Sequence, residues 1–215
     1  SFYKINMINP SKSSPYSKEY KNIKQKYYLN YLKKSLVGHI YRRVILFPFF
    51  SKFFKKNNKV LDYGCGLGFF INFASKKVDV IGCDINEYFV QHCIDSGLNA
   101  KLIKKSDYLP FENNYFDSIF MDNVLEHIED PRRIIHQIHA KLKKDGLFVI
   151  GVPGKKGYES DEDHKVYYDE KLLKDQMQKF KFKFYKNYYL PFFVKSEFLN
   201  LHSRSYCLYM VFKKS

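Results

Sequence analysis

Short apolar runs alternate with stretches of helical periodicity between residues 59 and 153 of the chain. Strands buried on both faces of a parallel sheet are almost continuously apolar, whereas an amphipathic helix repeats its apolar positions every three or four residues. The predicted strands are Lys59–Tyr63, Val78–Cys83, Ala100–Ile103, Phe116–Asp122 and Gly146–Val152, and the predicted helices cover 68–77, 86–96 and 130–144. This alternation predicts a parallel sheet with helices on both faces.

The segments on either side of this region have different patterns. Before it, tyrosines and aliphatic residues recur at helical spacing over 16–36, and a second predicted helix over 39–56 is interrupted or kinked at Pro48. After it comes a glycine- and charge-rich loop over 154–165 and then a predicted helix over 169–179. Two strand-like runs, Phe180–Tyr189 and Ser205–Lys213, follow closely enough to pair antiparallel.

The composition narrows the class of protein. Hydrophobic residues make up 45% of the 215 residues and charged residues 27%, which excludes a disordered chain. The longest apolar stretch is far too short to cross a bilayer, so no membrane span is predicted. The four cysteines form no CxxC pair, and we expect reduced thiols in a cytoplasmic protein.

The net charge of +15 is concentrated at the two ends of the sequence. Residues 1–59 hold 14 bases and one acid, residues 60–153 hold 10 bases and 13 acids, and residues 154–215 hold 13 bases and 8 acids. An anionic partner would explain this distribution, because a positive surface attracts anions. The compositional bias of an AT-rich genome would also explain it, since 32 of the 37 bases are lysine.

A glycine-rich turn follows the first predicted strand. Residues 60–68 read Val-Leu-Asp-Tyr-Gly-Cys-Gly-Leu-Gly, and glycines allow a ligand to approach the backbone closely. A dinucleotide site would normally have the spacing GxGxxG, but the spacing here is GxGxG. Asp62 precedes the first glycine and suits a cationic ammonium or sulfonium group better than a pyrophosphate. These features argue against a nicotinamide oxidoreductase.

Further polar residues follow the next three predicted strands. Asp84 ends the second strand, where a carboxylate can accept the hydroxyls of a ribose. Asp107 and Tyr108 follow the third, where an acid could receive an adenine amino group and a ring could stack on it. The fourth strand ends in Asp122 and runs into acids and a histidine. Open α/β sheets bind ligands at this carboxyl edge.

Over residues 58–153, these motifs together resemble class I S-adenosylmethionine-dependent methyltransferases. The resemblance implies a Rossmann-like three-layer α/β sandwich, with a seven-stranded, mostly parallel sheet whose last strand is antiparallel. It implies cofactor-binding roles for Asp62, Gly64, Cys65, Gly66, Asp84, Ile85, Ser106, Asp107, Tyr108 and Asn123. We therefore divide the chain into a helical cap (1–58), an S-adenosylmethionine-binding core (59–153) and an acceptor-side loop, helix and hairpin (154–215).

Two histidines are candidate catalytic bases. A methyltransferase must align its acceptor and, for a hydroxyl, remove a proton. His127 is predicted at the sheet edge and His164 in the 161–165 loop, although a structural role for the Glu-His pair and a solvated loop histidine remain open. A metal site built from Glu126, His127 and His164 is conceivable, but the spacing gives it no support, so no metal is predicted.

The acceptor is expected to contact the aromatic, basic segments around the core. Tyr16, Tyr20, Arg43 and Tyr158 are the predicted acceptor-binding residues. Stacking aromatics together with cations suit a small anionic metabolite, such as a phosphorylated or nucleotide-linked sugar, with methyl transfer to oxygen. An RNA methyltransferase and a non-catalytic cofactor-binding interaction module are the alternatives. Nucleic acid is not favoured, because no Asn-Pro-Pro-Tyr-type element for a flipped base follows the fourth strand, and a homodimer is left open.

Overall fold

The structure of the protein, a computed structural model, describes residues 36–104 and 108–215. Nearly all of the predicted helix over 16–36, and the candidate site residues Tyr16, Tyr20, Ser106 and Asp107, lie outside these ranges. The chain divides between Phe50 and Ser51 into two units, and each is described by itself.

The first unit contains a helix with a widened turn. It begins as α1 (Leu36–Tyr41), continues as a π turn (Arg42–Leu46) and ends as α2 (Phe47–Ser51). The Phe47 N–H donates to the Arg42 carbonyl, five residues earlier. The predicted interruption at Pro48 takes the form of a π turn just before the proline. In a regular α-helix, the proline ring would clash with the preceding turn. The helix also ends earlier than the predicted residue 56.

The second unit is built on a seven-stranded sheet in the order β3-β2-β1-β4-β5-β7-β6. The strands are β1 (Lys59–Tyr63), β2 (Asp79–Asp84), β3 (Ala100–Leu102), β4 (Phe116–Asp122), β5 (Leu142–Pro153), β6 (Phe182–Leu190) and β7 (Cys207–Lys214). The first five pair in parallel, and β7 lies antiparallel between β5 and β6. The expected α/β fold and its antiparallel last strand are confirmed.

Helices connect these strands and cover the sheet. They are α3 (Phe69–Ala74), α4 (Glu87–Asp95), a 3-10 turn (Leu125–His127), α5 (Arg132–Lys141), α6 (Lys155–Tyr158), α7 (Glu170–Lys179) and α8 (Glu197–His202). The side chains of Asn86, Asp169 and Ser196 accept backbone N–H groups at the starts of α4, α7 and α8, as helix N-caps do. The short helices α6 and α8 were not expected from the sequence.

The core is apolar on both faces of the sheet. On one face, Ile135 and Ile138 of α5 pack with Ile119 of β4 in a continuous buried cluster. On the other, Phe70 of α3 stacks on Phe120, the next residue of β4, with ring centroids 4.4 Å apart. Successive strand residues point to opposite faces, so β4 contributes to both layers.

Strand β5 is longer than expected and differs from the prediction at its start. It begins at Leu142, where helix was predicted to residue 144 and strand only from Gly146. Leu142 pairs with Phe116, and the register then shifts before Leu147 pairs with Ser118. Asp145 has a φ of 60°, so the backbone turns within the strand in a conformation that side chains rarely adopt. In the part of the chain that the structure describes, no helix is long and apolar enough to cross a bilayer.

Candidate active site

The glycine-rich turn places an open stretch of backbone between β1 and α3. Gly64, Gly66 and Gly68 all have positive φ values, of 78°, 51° and 76°. A Cβ atom at Gly64 would lie 2.3 Å from Cγ2 of Val124, so only glycine fits where this turn passes the end of β4. A Cβ at Gly66 would meet no described heavy atom within 4 Å. The turn therefore leaves room at Gly66 for a ligand to approach the backbone.

The side chain of Asp84, at the end of the neighbouring strand β2, stabilises this turn. One carboxylate oxygen accepts the Gly66 N–H at 2.9 Å, and the other accepts the Asn86 N–H at 2.8 Å. Burial raises the pKa of Asp84, while these two N–H donors oppose that shift. Each oxygen keeps a further lone pair, so the carboxylate can accept ribose hydroxyls without releasing the turn.

Asp62 is a buried acid with an unused oxygen. It is 4% exposed, and its Oδ2 accepts no hydrogen bond from the described residues. Burial raises the pKa of Asp62 well above the usual range, and the charges of Asp122, Cys93 and Asp84 add to this effect. A cationic group bound beside Asp62 would offset both the burial and the repulsion between these acids.

The adenine side of the predicted site is only partly described. The Tyr108 ring is 74% exposed, and the guanidinium carbon of Arg133 lies 5.0 Å from its centroid. Ile85 is 41% exposed directly after β2. Cys65 is buried with its Sγ directed towards Gly82, where an added Cβ would lie 2.7 Å away. Any contact of Cys65 with a ligand would therefore involve its backbone.

Asp122 ends β4 and Asn123 follows it, and the charge of Asp122 acts on both Asp62 and Glu126. Asp122 Oδ1 accepts hydrogen bonds from Asn123 Nδ2 at 2.8 Å and from the Tyr209 hydroxyl at 2.6 Å. Asn123 has a φ of 54°, which turns the chain sharply after β4. Asp122 and Tyr209 were not predicted as site residues. The position of Asp122 at the carboxyl end of β4, like that of Asp62 near the end of β1, was the available signal.

The structure brings together two histidines that are far apart in sequence. The rings of His127 and His164 have centroids 4.6 Å apart. The Glu126 carbonyl accepts the N–H groups of Lys165 at 2.7 Å and Val166 at 3.1 Å. These two bonds join the 3-10 turn to the segment after α6, which is why both imidazoles lie at the same edge of the sheet.

A buried carboxylate lies beside the two rings. Glu126 is 1% exposed, and neither of its carboxylate oxygens accepts a hydrogen bond from the described residues. Burial, together with the nearby charges of Asp122 and Asp161, raises the pKa of Glu126 to about 8. Burial also lowers the pKa of His127, and the nearby His164 acts in the same direction. The site therefore favours a neutral imidazole at His127.

An aromatic and cationic cluster adjoins His164. The Tyr158 ring stacks on the His164 ring at 5.5 Å with an interplanar angle of 19°. Lys155 Nζ lies 5.9 Å from the Tyr158 centroid and 5.2 Å from that of Tyr167. Of the predicted acceptor-binding residues, Tyr158 is thus beside the histidine pair, whereas Arg43 lies in the π turn of the other unit.

A sheet of this strand order, with a glycine turn after β1 and an acid at the end of β2, is the arrangement of S-adenosylmethionine-dependent methyltransferases. The residues present fit that cofactor, because the open backbone at Gly66 and the unused oxygen of buried Asp62 offer space and negative charge to a cation. The expected ribose acceptor, Asp84, lies next to both.

Comparison with known proteins agrees with this class. A family described as a methyltransferase domain matches residues 37–187. A solved S-adenosylmethionine-dependent methyltransferase from Archaeoglobus fulgidus has a TM-score of 0.64 at 21% identity, and the match covers 87% of this chain and all of the other. The chain therefore belongs to the methyltransferase-domain family, and the cofactor of this domain is S-adenosylmethionine.

Curated relatives match over a shorter length. The mitochondrial arginine-hydroxylase NDUFAF5 of Mus musculus is 30% identical over 92 residues, which are 41% of this chain and 27% of that protein. The sterol 24-C-methyltransferase erg6 of Schizosaccharomyces pombe is 27% identical over 108 residues, which are 45% of this chain and 28% of that protein. The chain spans about a quarter of the length of these relatives.

Proposed function

We propose that this chain transfers a methyl group from S-adenosylmethionine to an oxygen of a small anionic metabolite, such as a phosphorylated or nucleotide-linked sugar. The observation that carries the proposal is the pair of imidazoles, His127 and His164, beside a cluster of aromatic rings and a lysine. The name of the sterol relative gives carbon as the methyl acceptor of that protein. Transfer to carbon would not need a group that accepts a hydroxyl proton.

When bound, the cofactor supplies a methyl group already activated on a sulfonium. The residues of the chain have the remaining tasks. Gly66 leaves space at the turn, and Asp62 and Asp84 place negative charge and hydrogen-bond acceptors there. The acceptor hydroxyl loses its proton beside the His127–His164 pair, and burial favours the neutral form of the His127 imidazole there.

Recognition of the acceptor is assigned to the cluster next to His164. Tyr158 and Tyr167 present ring faces, and Lys155, which also pairs with Glu159 at 3.4 Å, presents a cation on a side chain that is 40% exposed. A sugar or aromatic ring packs on such faces, and a phosphate or carboxylate pairs with the lysine. The excess of basic residues in 1–59 and 154–215 would raise the local concentration of an anion.

The test is methyl transfer from labelled S-adenosylmethionine to paired acceptors, each phosphorylated sugar being compared with its neutral analogue. We expect kcat/KM to be at least about tenfold higher for the phosphorylated partner at low salt, with the difference shrinking at high salt. Lys155→Gln should reduce this preference, whereas Lys144→Gln, at an exposed position in β5, should leave it unchanged. Equal efficiencies for both partners, or methylation of transfer RNA alone, would contradict the proposal.

A further inference from the structure

Glu126, His127 and His164 offer three ligand atoms to one point in space. One carboxylate oxygen and one ring nitrogen from each histidine all lie within 4.8 Å of one another, and Glu126 Oε1 is 3.9 Å from His164 Nε2. Two ligands bound to one Zn²⁺ at about 2.1 Å are about 3.4 Å apart in a tetrahedral site. Small side-chain rotations therefore suffice to bring the three atoms to an ion.

One nitrogen of each imidazole, Nδ1, is directed at a backbone carbonyl. His164 Nδ1 lies 2.7 Å from the Tyr158 oxygen, and His127 Nδ1 lies 3.4 Å from the Asp163 oxygen. A carbonyl only accepts, so a neutral ring in this orientation carries its proton on Nδ1 and presents Nε2 as the ligand atom. Metal-binding histidines are oriented in this way, because the outer hydrogen bond fixes the tautomer and raises the basicity of the ligand nitrogen.

Glu126 provides an independent sign that its surroundings suit a cation. Its carboxylate is 1% exposed, and neither oxygen accepts a hydrogen bond from the described residues. An ionised carboxylate in such surroundings is costly unless a cation or several donors compensate it. The carboxylates of Asp122 and Asp161 are near enough to add negative charge to the same surroundings. The described surroundings of the Glu126 carboxylate therefore favour a cation.

We propose that Glu126, His127 and His164 bind a divalent transition-metal ion of the Zn²⁺ type. Two imidazoles and one carboxylate form the ligand set of catalytic zinc sites, which keep a fourth position open. Two nitrogen ligands disfavour Mg²⁺, which prefers oxygen ligands and retains its water.

The site adds a defined role to the proposed methyl transfer, and this role, unlike ion binding itself, rests on that proposal. An acceptor oxygen at the open position would have a lowered pKa, as oxygens bound to Zn²⁺ do. The proton of the hydroxyl would then pass to a nearby base or to water, and the oxygen would attack the methyl carbon as the sulfonium–carbon bond breaks. In this arrangement the two histidines act as ligands, and the hydroxyl still loses its proton beside them.

The experiment measures ion binding by the full chain without cofactor or acceptor. Protein freed of metal with a chelator is titrated with Zn²⁺ by calorimetry and with Co²⁺ by visible absorption, which reports coordination geometry. We expect one equivalent of each ion and a Co²⁺ spectrum typical of four- or five-coordination. Glu126→Gln and His164→Asn should each weaken Zn²⁺ binding by about 100-fold or more, since even outer-shell changes cost about 10–100-fold.

A matched control uses an exposed histidine of α5. His136→Asn removes one imidazole away from the cluster and should leave the affinity for Zn²⁺ unchanged. The circular dichroism of every variant is compared with that of the original chain, and His127→Asn replaces any variant that fails to fold. Zn²⁺ binding that survives in all folded cluster variants, as binding to the four free cysteines would, overturns the proposal.

The same data separate failure of the metal site from failure of the proposed function. No Zn²⁺ or Co²⁺ binding by the original chain at millimolar concentration, or preferential binding of Mg²⁺, would overturn the metal site. Methyl transfer that persists after chelation would overturn its role in activating the acceptor. Stoichiometric Zn²⁺ binding, lost in Glu126→Gln, supports the site even if no tested hydroxyl is methylated.

Discussion

Asp84 shows how one residue of this site can both stabilise the fold and bind the cofactor. Its carboxylate accepts two N–H groups that hold the glycine turn, and it is also the expected acceptor for ribose hydroxyls. Asp84→Ala should weaken S-adenosylmethionine binding by about 10–100-fold, because a hydrogen bond to a charged group contributes about 1.5–3 kcal/mol. Calorimetry measures this loss. Asp79→Ala, at the exposed start of β2, should bind normally.

Asp62 should make cofactor binding depend on pH. Its pKa is raised in the free protein, and a cationic ligand binds the ionised form, so affinity should increase as the pH rises through that pKa and level off above it. Asp122, Cys93 and Asp84 face the same carboxyl and contribute to its titration. Calorimetric titrations across pH should show a flatter profile for Asp62→Asn. An equally steep pH dependence of affinity in Asp62→Asn would mean that Asp62 does not contact the bound cofactor.

A substitution at Gly64 tests whether the glycine turn packs tightly against the residues that follow β4. Gly64→Ala would place a methyl group 2.3 Å from Val124 Cγ2 at a φ of 78°. We expect the free energy of unfolding to fall by about 2–3 kcal/mol, from crowding and an unfavourable backbone. Val124→Ala should recover part of this loss in the double variant, which urea unfolding would show. Strictly additive losses would mean that the two residues do not compete for space.

The carboxylate of Glu170 joins helix α7 to the edge strand β6. Glu170 of α7 pairs with Lys174 at 2.6 Å and with Lys195 at 3.1 Å, and it accepts the hydroxyl of Tyr189 in β6. The hydrogen bond from Lys174, with those from Tyr189 and Lys195, lowers the pKa of Glu170 to about 2. The ionised carboxylate therefore links α7 to Tyr189 and Lys195, which are 19 and 25 residues away in sequence.

This arrangement predicts a specific loss of stability in acid. The contribution of Glu170 is fully present above the ordinary glutamate pKa of about 4.3, and it disappears as the pH falls through about 2. At pH 7, Glu170→Gln should cost about 1 kcal/mol. The difference between the two proteins should shrink below pH 4 in denaturant unfolding. Glu159→Gln, in an exposed pair with Lys155, should show little difference at either pH.

The strands and the cofactor turn were predictable because their signals are local. Strands β1 and β4 have the predicted bounds, since the apolar positions that mark them, and the glycine turn after β1, lie within a few residues. The meeting of His127 with His164 was not predictable, because it depends on two backbone bonds to the Glu126 carbonyl from the segment after α6. Spacing along the sequence carries no information about such a contact. The π turn before Pro48 also escaped prediction, since a proline indicates disruption but not its form.

Ligand binding should raise the melting temperature of the folded chain. A ligand that binds only the folded state at 100 times its Kd adds about 2.7 kcal/mol, which for a chain of this size corresponds to a rise in Tm of about 5–10 °C. We expect S-adenosylmethionine and its demethylated product to produce this shift and NAD to produce none. Differential scanning fluorimetry measures it. A shift with NAD would contradict the GxGxG assignment.

The position of β7 between β5 and β6 constrains the order in which the sheet can assemble. Strand β6 is at the edge and bonds to β7, so it joins the sheet either together with β7 or after it, and never before it. During synthesis, β6 leaves the ribosome before that partner exists, and pairing of distant segments is slow. A nascent chain halted before residue 207 would therefore present the open edge of β5 together with an unattached β6. Both are templates on which another molecule can add a strand, and aggregation of the incomplete chain is the expected result.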